Sequence, residues 1–118
     1  MLSVKDVELK PLLTLIAEHS KVPIILLNAL SSSNAELQTQ LAVAGRIYFD
    51  LSALEGLAGL ERQLTSLPAE RLLFGSHSPF FVFESAEFKL KESALPAPII
   101  EQIAHENAEK LLASTMPR

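Results

Sequence analysis

The sequence contains no cysteine and no tryptophan, and only 4 of its 118 residues are glycine. Without cysteine there is no disulfide, no thiolate zinc site and no cysteine nucleophile, and the redox compartment is left open. So few glycines supply no phosphate-cradling glycine loop, which removes the usual support for nucleotide binding. The longest apolar run, Val22-Pro23-Ile24-Ile25-Leu26-Leu27, falls far short of the roughly 20 residues that span a bilayer. No basic stretch followed by an apolar one opens the chain at Met1 to Asp6, so a cytoplasmic protein with no membrane partner is expected. Basic charge is also scarce. Ten Lys and Arg face 14 Asp and Glu for a net charge of −4, and no basic cluster is interleaved with aromatics. Nucleic acid is therefore an unsuitable partner.

What is present suits a packed core. Hydrophobic residues make up 48% and charged residues 20%, enough apolar surface to offset the cost of ordering the chain, and the length fits one domain over 1–118. Ser3-Val4-Lys5-Asp6 has the form of a helix start. The apolar positions from Val7 to Ile16 then make a helical stripe interrupted by Pro11. Val22 to Leu27 is a β-branched run suited to a strand buried on both faces. Ser33 and Glu36 have capping-box spacing for a helix through Ala44, which Gly45 ends in the left-handed conformation.

Arg46 to Leu51 reads as a second strand. Ser52 and Glu55 then have the spacing to cap a helix carrying Leu57, Leu60, Leu64 and Leu67, weakened at its start by Gly56 and Gly59. Arg71 to Gly75 is the third strand. Helices follow over Ser85 to Glu92 and Ile99 to His105, and Asn107 is placed to cap a last one. Alternating strands and helices of this kind mean an α/β fold with parallel pairing.

In such folds ligands bind beyond the carboxyl ends of the strands, which here are Asn28, Asp50 to Ser52, and Ser76 to Ser78. Asn28, Asp50, Ser52 and His77 converge if their faces line one interior. Asp50 in an apolar strand is either a buried base or a carboxylate paired with a backbone amide or an arginine. Ser52 reads as a helix cap before it reads as a nucleophile, and Ser76 has no partner base at recognisable spacing. Phe80-Phe81-Val82-Phe83 either packs beneath the following helix or lines an apolar substrate pocket or contact surface. His19 near a helix C-terminus is accounted for by the helix dipole, and His105 lies away from the strand ends.

Glu70-Arg71-Leu72-Leu73-Phe74-Gly75-Ser76-His77-Ser78-Pro79 resembles the eighth-strand signature of the amidohydrolase-related metal-dependent hydrolases. Arg46 to Ser52 resembles that family's seventh strand and Val22 to Asn28 its sixth, and Ile103 to Leu112 is similar to its Asn-Ala closing helix. The resemblance implies the C-terminal portion of a TIM (β/α)8 barrel, about three parallel βα units plus closing helices. A whole barrel takes about 250 residues, and the first-strand His-x-His pair has no counterpart here.

A complete parent of this kind uses a divalent metal, zinc or manganese, to activate water against a small-molecule substrate. On that resemblance His77 stands in the place of the eighth-strand Asp as catalytic residue and metal ligand. Asp50 is a second catalytic candidate, and Asn28, Ser52, Ser76 and Phe80 are substrate contacts. Asn28 occupies the place of a histidine ligand, and His77 brings no negative charge, so two metal positions are altered. The resemblance implies the C-terminal part of a metal-dependent hydrolase, inactive as an isolated chain. The alternative is a catalytically silent barrel relative that acts by binding or association. A three-stranded piece exposes sheet edges, so partnership with copies of itself or with a missing N-terminal half is expected.

Overall fold

The structure is a computed structural model that describes residues 7–30 and 35–116. The expected helix start at Ser3 to Asp6, and Ser33 of the expected capping box, lie outside the described residues. Helix α1 spans Leu12–Glu18, with Pro11 just before its first turn, where a missing N–H costs nothing. It leads into β1, Ile24–Leu26, then α2, Ala35–Ala44, and β2, Ile47–Asp50. A long turn region and a short helix α3, Gly59–Gln63, come next, then a 3₁₀ turn at Ala69–Arg71 and β3, Leu72–Leu73. Helix α4 covers Phe83–Lys91. Helix α5, Ala97–Glu101, runs through a widened π turn, Gln102–Glu106, into α6, Asn107–Thr115.

The three strands form one parallel sheet in the order β1-β2-β3. Register places Ile24 beside Ile47, Leu26 beside Phe49, and Phe49 beside Leu72. These five side chains share one face and join the hydrophobic core with Ile16, Leu41, Leu60, Leu90 and Ile103 from the helices. Ile25, Tyr48 and Leu73 lie on the opposite face, outside that core. Ile25 is 47% exposed there, so β1 is not the strand buried on both faces that its composition suggests. The reason is position. β1 is an edge strand, and only β2 at the centre is covered as a parallel strand usually is.

The two edges of the sheet are treated differently. Leu73 turns no carbonyl to the outside, because its oxygen accepts the Leu51 N–H from the β2 side at 3.1 Å. The groups of β3 that face outward are taken up by the C-terminal helices. The Asn107 amide donates to Leu72 O at 2.8 Å and to Ala69 O at 2.7 Å, and Phe74 N–H donates to Ile103 O at 3.1 Å. Ile103 belongs to the widened turn, a geometry that loosens carbonyls from the regular helical ladder. The edge of β3 is thus closed by its own chain, a correction to the expectation that both edges stand open. Asn107 is a buried wall of that closure and not the helix cap its position suggested, since its backbone is already helical.

Several other expectations are also corrected. Gly45 follows α2 without a positive φ. It is there for proximity, since a Cβ would stand 2.5 Å from Ile16 Cγ2. The helix expected from Ser52 forms only at Gly59, because Ser52 uses its hydroxyl elsewhere. At the amino ends of the strands, Arg71 donates to Gly45 O at 2.9 Å and Ile47 O at 3.2 Å and lies over the Tyr48 ring. Among the described residues no helix is long and apolar enough to cross a membrane.

Two predictions follow from the C-terminal helices. Asn107→Ala leaves the buried Leu72 carbonyl without its donor, while Ala69 O keeps the Leu72 N–H, and should cost about 1–3 kcal/mol, read as a shift in the urea unfolding midpoint. His105 is held protonated above its ordinary value of 6.5 by Glu101 first and Glu109 second, each one helical turn away. A raised folded value gives stability that is complete below about 6.5 and is lost as pH rises through the folded value. His105→Gln should flatten the stability profile in that window and leave it unchanged at higher pH.

Candidate functional site

The central strand ends on a carboxylate. Asp50, the last residue of β2, is only 6% exposed, and an isolated ionised carboxylate in such a place is costly. Its oxygens are satisfied from the two neighbouring loops. Asn28 N–H donates to Oδ1 at 2.7 Å, and Ser52 Oγ stands 2.5 Å from Oδ2. Of the alternatives open in the sequence, the backbone-amide pairing is the one observed.

Strand alternation by itself would put Asn28 on the face of Leu26, away from Asp50. The chain corrects this with a left-handed residue. Asn28 has φ 56°, a conformation asparagine tolerates better than most residues, and the reversal brings both its N–H and its side chain over Asp50. Its amide then bridges two further groups. Asn28 Oδ1 lies 2.5 Å from Ser52 Oγ, and Nδ2 lies 3.0 Å from His77 Nδ1 and 3.5 Å from His77 Nε2. Ser52, 3% exposed, is therefore the centre of a polar cluster and not a helix cap. This overturns the capping-box expectation.

His77 follows β3 and is also left-handed, at φ 55°. Its carbonyl accepts the N–H groups of Phe80 at 3.0 Å and Phe81 at 3.1 Å, so the segment turns tightly back on itself through the cis Ser78–Pro79 bond. The turn sets the imidazole against the rings of Phe80 and Phe81, with centroids 5.3 Å and 5.0 Å away. Two non-glycine residues in the left-handed region, facing each other across one cluster, are the kind of backbone cost that persists where a site is held in place. Asn28, Asp50, Ser52 and His77 thus converge at the carboxyl end of the sheet. Ser76 does not join them. Its hydroxyl accepts the Ser78 N–H within its own turn at 3.3 Å.

The Phe80 to Phe83 segment is not packed beneath the following helix. Phe80 is 72% exposed and Val82 67%, and Phe83 begins α4 with its ring edge-on to Phe74. Ser52, Glu55, Phe80, Phe81, Val82 and Lys89 are among the residues lining an open groove of about 550 Å³.

Two members of the site are not singled out by the sequence. Gly75 leaves Asp50 its space, since a Cβ there would stand 2.5 Å from Asp50 Oδ2 and 2.9 Å from its Cβ. Lys89 reaches back from α4 to donate to Ser52 O at 2.7 Å and Leu51 O at 3.3 Å. Burial holds its ammonium below the ordinary lysine range, against the opposing pull of the Glu55 and Asp50 charges. A lysine in an amphipathic helix ordinarily reads as solvated, so only the fold marks this one.

Both Asp50 oxygens are engaged, and the polar neighbour of His77 is a neutral amide. The described residues gather no group of three His, Cys, Asp or Glu side chains. Compared with known proteins, no family model, no curated protein and no solved structure matches the chain.

The tight approach at Gly75 gives a direct test of the cluster. Gly75→Ala should cost about 1–3 kcal/mol in thermal unfolding, because the new methyl and the buried Asp50 carboxylate cannot both keep their places. It should also shift the Asn28 amide resonance, whose hydrogen bond to Asp50 must move with it.

Proposed function

We propose that this chain is a relative of the C-terminal portion of an amidohydrolase-type (β/α)8 barrel, catalytically silent on its own, that works by association with another protein surface. The observation that carries this reading is the exposed apolar edge of the sheet at β1. Ile25 at the edge strand stands half out of the core, and Val22 and Leu27, close to it in the chain, are exposed as well; exposed apolar side chains grouped in this way mark an interaction surface. In a barrel the face carrying Ile25 would line the interior. Closure of the β3 edge by Ile103 and Asn107 favours the silent reading, because a barrel's first strand would have to pair there.

A second reading is that the chain belongs to a working metal-dependent hydrolase. The convergence of Asn28, Asp50, Ser52 and His77 at the carboxyl end of the sheet favours it, since barrel enzymes keep their chemistry at that end. On this reading the missing half brings the metal ligands. His77 serves as a proton acceptor beside the reacting water, and Phe80 offers an apolar contact to a small-molecule substrate. A zinc or manganese ion would supply the activation of that water.

The two readings agree that the isolated chain hydrolyses nothing and seeks cover. In sedimentation at micromolar concentration the chain should run above its 12.9 kDa monomer mass. Ile25→Glu, which charges the open face at an exposed position, should return it to monomer. A wild-type chain that is monomeric at those concentrations overturns the association reading. Hydrolysis by the isolated chain with added zinc or manganese overturns the expectation, common to both readings, that the chain is silent on its own.

A further inference from the structure

The hydrogen-bonded row from Asp50 to His77 has a direction, and it follows from counting protons. Ser52 Oγ lies 2.5 Å from two oxygens, Asn28 Oδ1 and Asp50 Oδ2, yet a hydroxyl has one hydrogen to give. With that hydrogen donated to the Asp50 oxygen, the contact with Asn28 is oxygen against oxygen without a donor. Turning the Asn28 amide end for end exchanges only its oxygen and nitrogen and removes the conflict. The amide nitrogen then donates to Ser52 Oγ, and Ser52 donates to Asp50. The amide oxygen faces His77 Nδ1 at 3.0 Å and accepts a hydrogen from it.

We infer that Ser52 and Asn28 are positioning residues that carry the demand of the Asp50 carboxylate outward to His77 and fix its neutral ring with the hydrogen on Nδ1. Nε2 is then the basic nitrogen. It sits on an imidazole walled by Phe80 and Phe81 beside the open groove, suited to accept a hydrogen from a hydroxyl or N–H of a ligand with a flat apolar body. The inference concerns the state of one ring and stands under either functional reading above. A buried serine and a buried aspartate are costly to keep merely as scaffolding, and the left-handed turns at Asn28 and His77 serve this single row.

The test is long-range proton–nitrogen NMR of the histidine rings at pH about 9, where an imidazole is neutral. The protein has 3 histidines, and His77→Gln identifies the signals of His77. In the wild type the Nδ1–H form should exceed the Nε2–H form by at least about fivefold, the ratio one hydrogen bond supplies. Ser52→Ala should abolish that preference in a folded chain, and Ser52→Thr, which keeps the hydroxyl, should preserve it. A wild-type ring that is mainly Nε2–H, or evenly mixed, overturns the proposal without any variant. An unchanged preference in folded Ser52→Ala overturns the role of Ser52.

Discussion

A carboxylate at the end of the central strand has to be given hydrogen-bond donors once it leaves water, and the carboxyl end of this sheet is arranged around that requirement at Asp50. The loop after β1 turns left-handed so that Asn28 can offer its N–H. The chain after β2 forgoes an immediate helix so that Ser52 can offer its hydroxyl. The chain after β3 carries a glycine where any side chain would collide. Helix α4 sends Lys89 back over the same strand end, and its charge helps offset the buried anion. Three loops and a helix are thus located by one side chain. Among the described residues, no buried side-chain nitrogen or oxygen is left without a partner.

The opposite constraint acts at the sheet's flanks. A parallel sheet of three short strands has too little of its own surface to hide, so one flank must be covered and the other used. The C-terminal helices cover β3 with Asn107 and the Ile103 carbonyl. At β1 the side chain of Ile25 meets solvent on the face away from the core. An asymmetric sheet of this kind has one polar, internally completed end and one apolar, incomplete side, and the two functional readings differ in which of these they make primary.

Much of this was written in the local pattern. The β-branched runs and their helical spacers specify a parallel α/β sheet, and β2, with Ile47 and Phe49 facing the core, is where that reading is most secure. Strand-end positions likewise pointed to Asn28, Asp50, Ser52 and His77 before any contact was known. What the pattern misjudges are competitions between a local motif and a distant partner. Ser52 and Glu55 have capping spacing, but a buried carboxylate two residues back claims the serine first. Asn107 has a capping residue's chemistry, but two carbonyls of another element claim its amide. Phe80 to Val82 look like core residues and lie at the surface, because the turn at His77 spends its backbone on reversing direction. Gly75 and Lys89 carry no local signal, since their roles exist only across the sheet.

The widened turn at Gln102–Glu106 holds one residue more than a regular helix would use there. Removing one residue from it would let α5 and α6 run on as a continuous α-helix with no loss of core composition. The extra residue is absorbed within the turn, so α6 already keeps nearly the phase of an unbroken helix and the removal leaves Asn107 on Leu72. What changes is the Ile103 carbonyl, which returns to the regular helical ladder and no longer takes the Phe74 N–H. A single codon therefore separates a β3 end held by both Asn107 and the Ile103 carbonyl from one held by Asn107 alone.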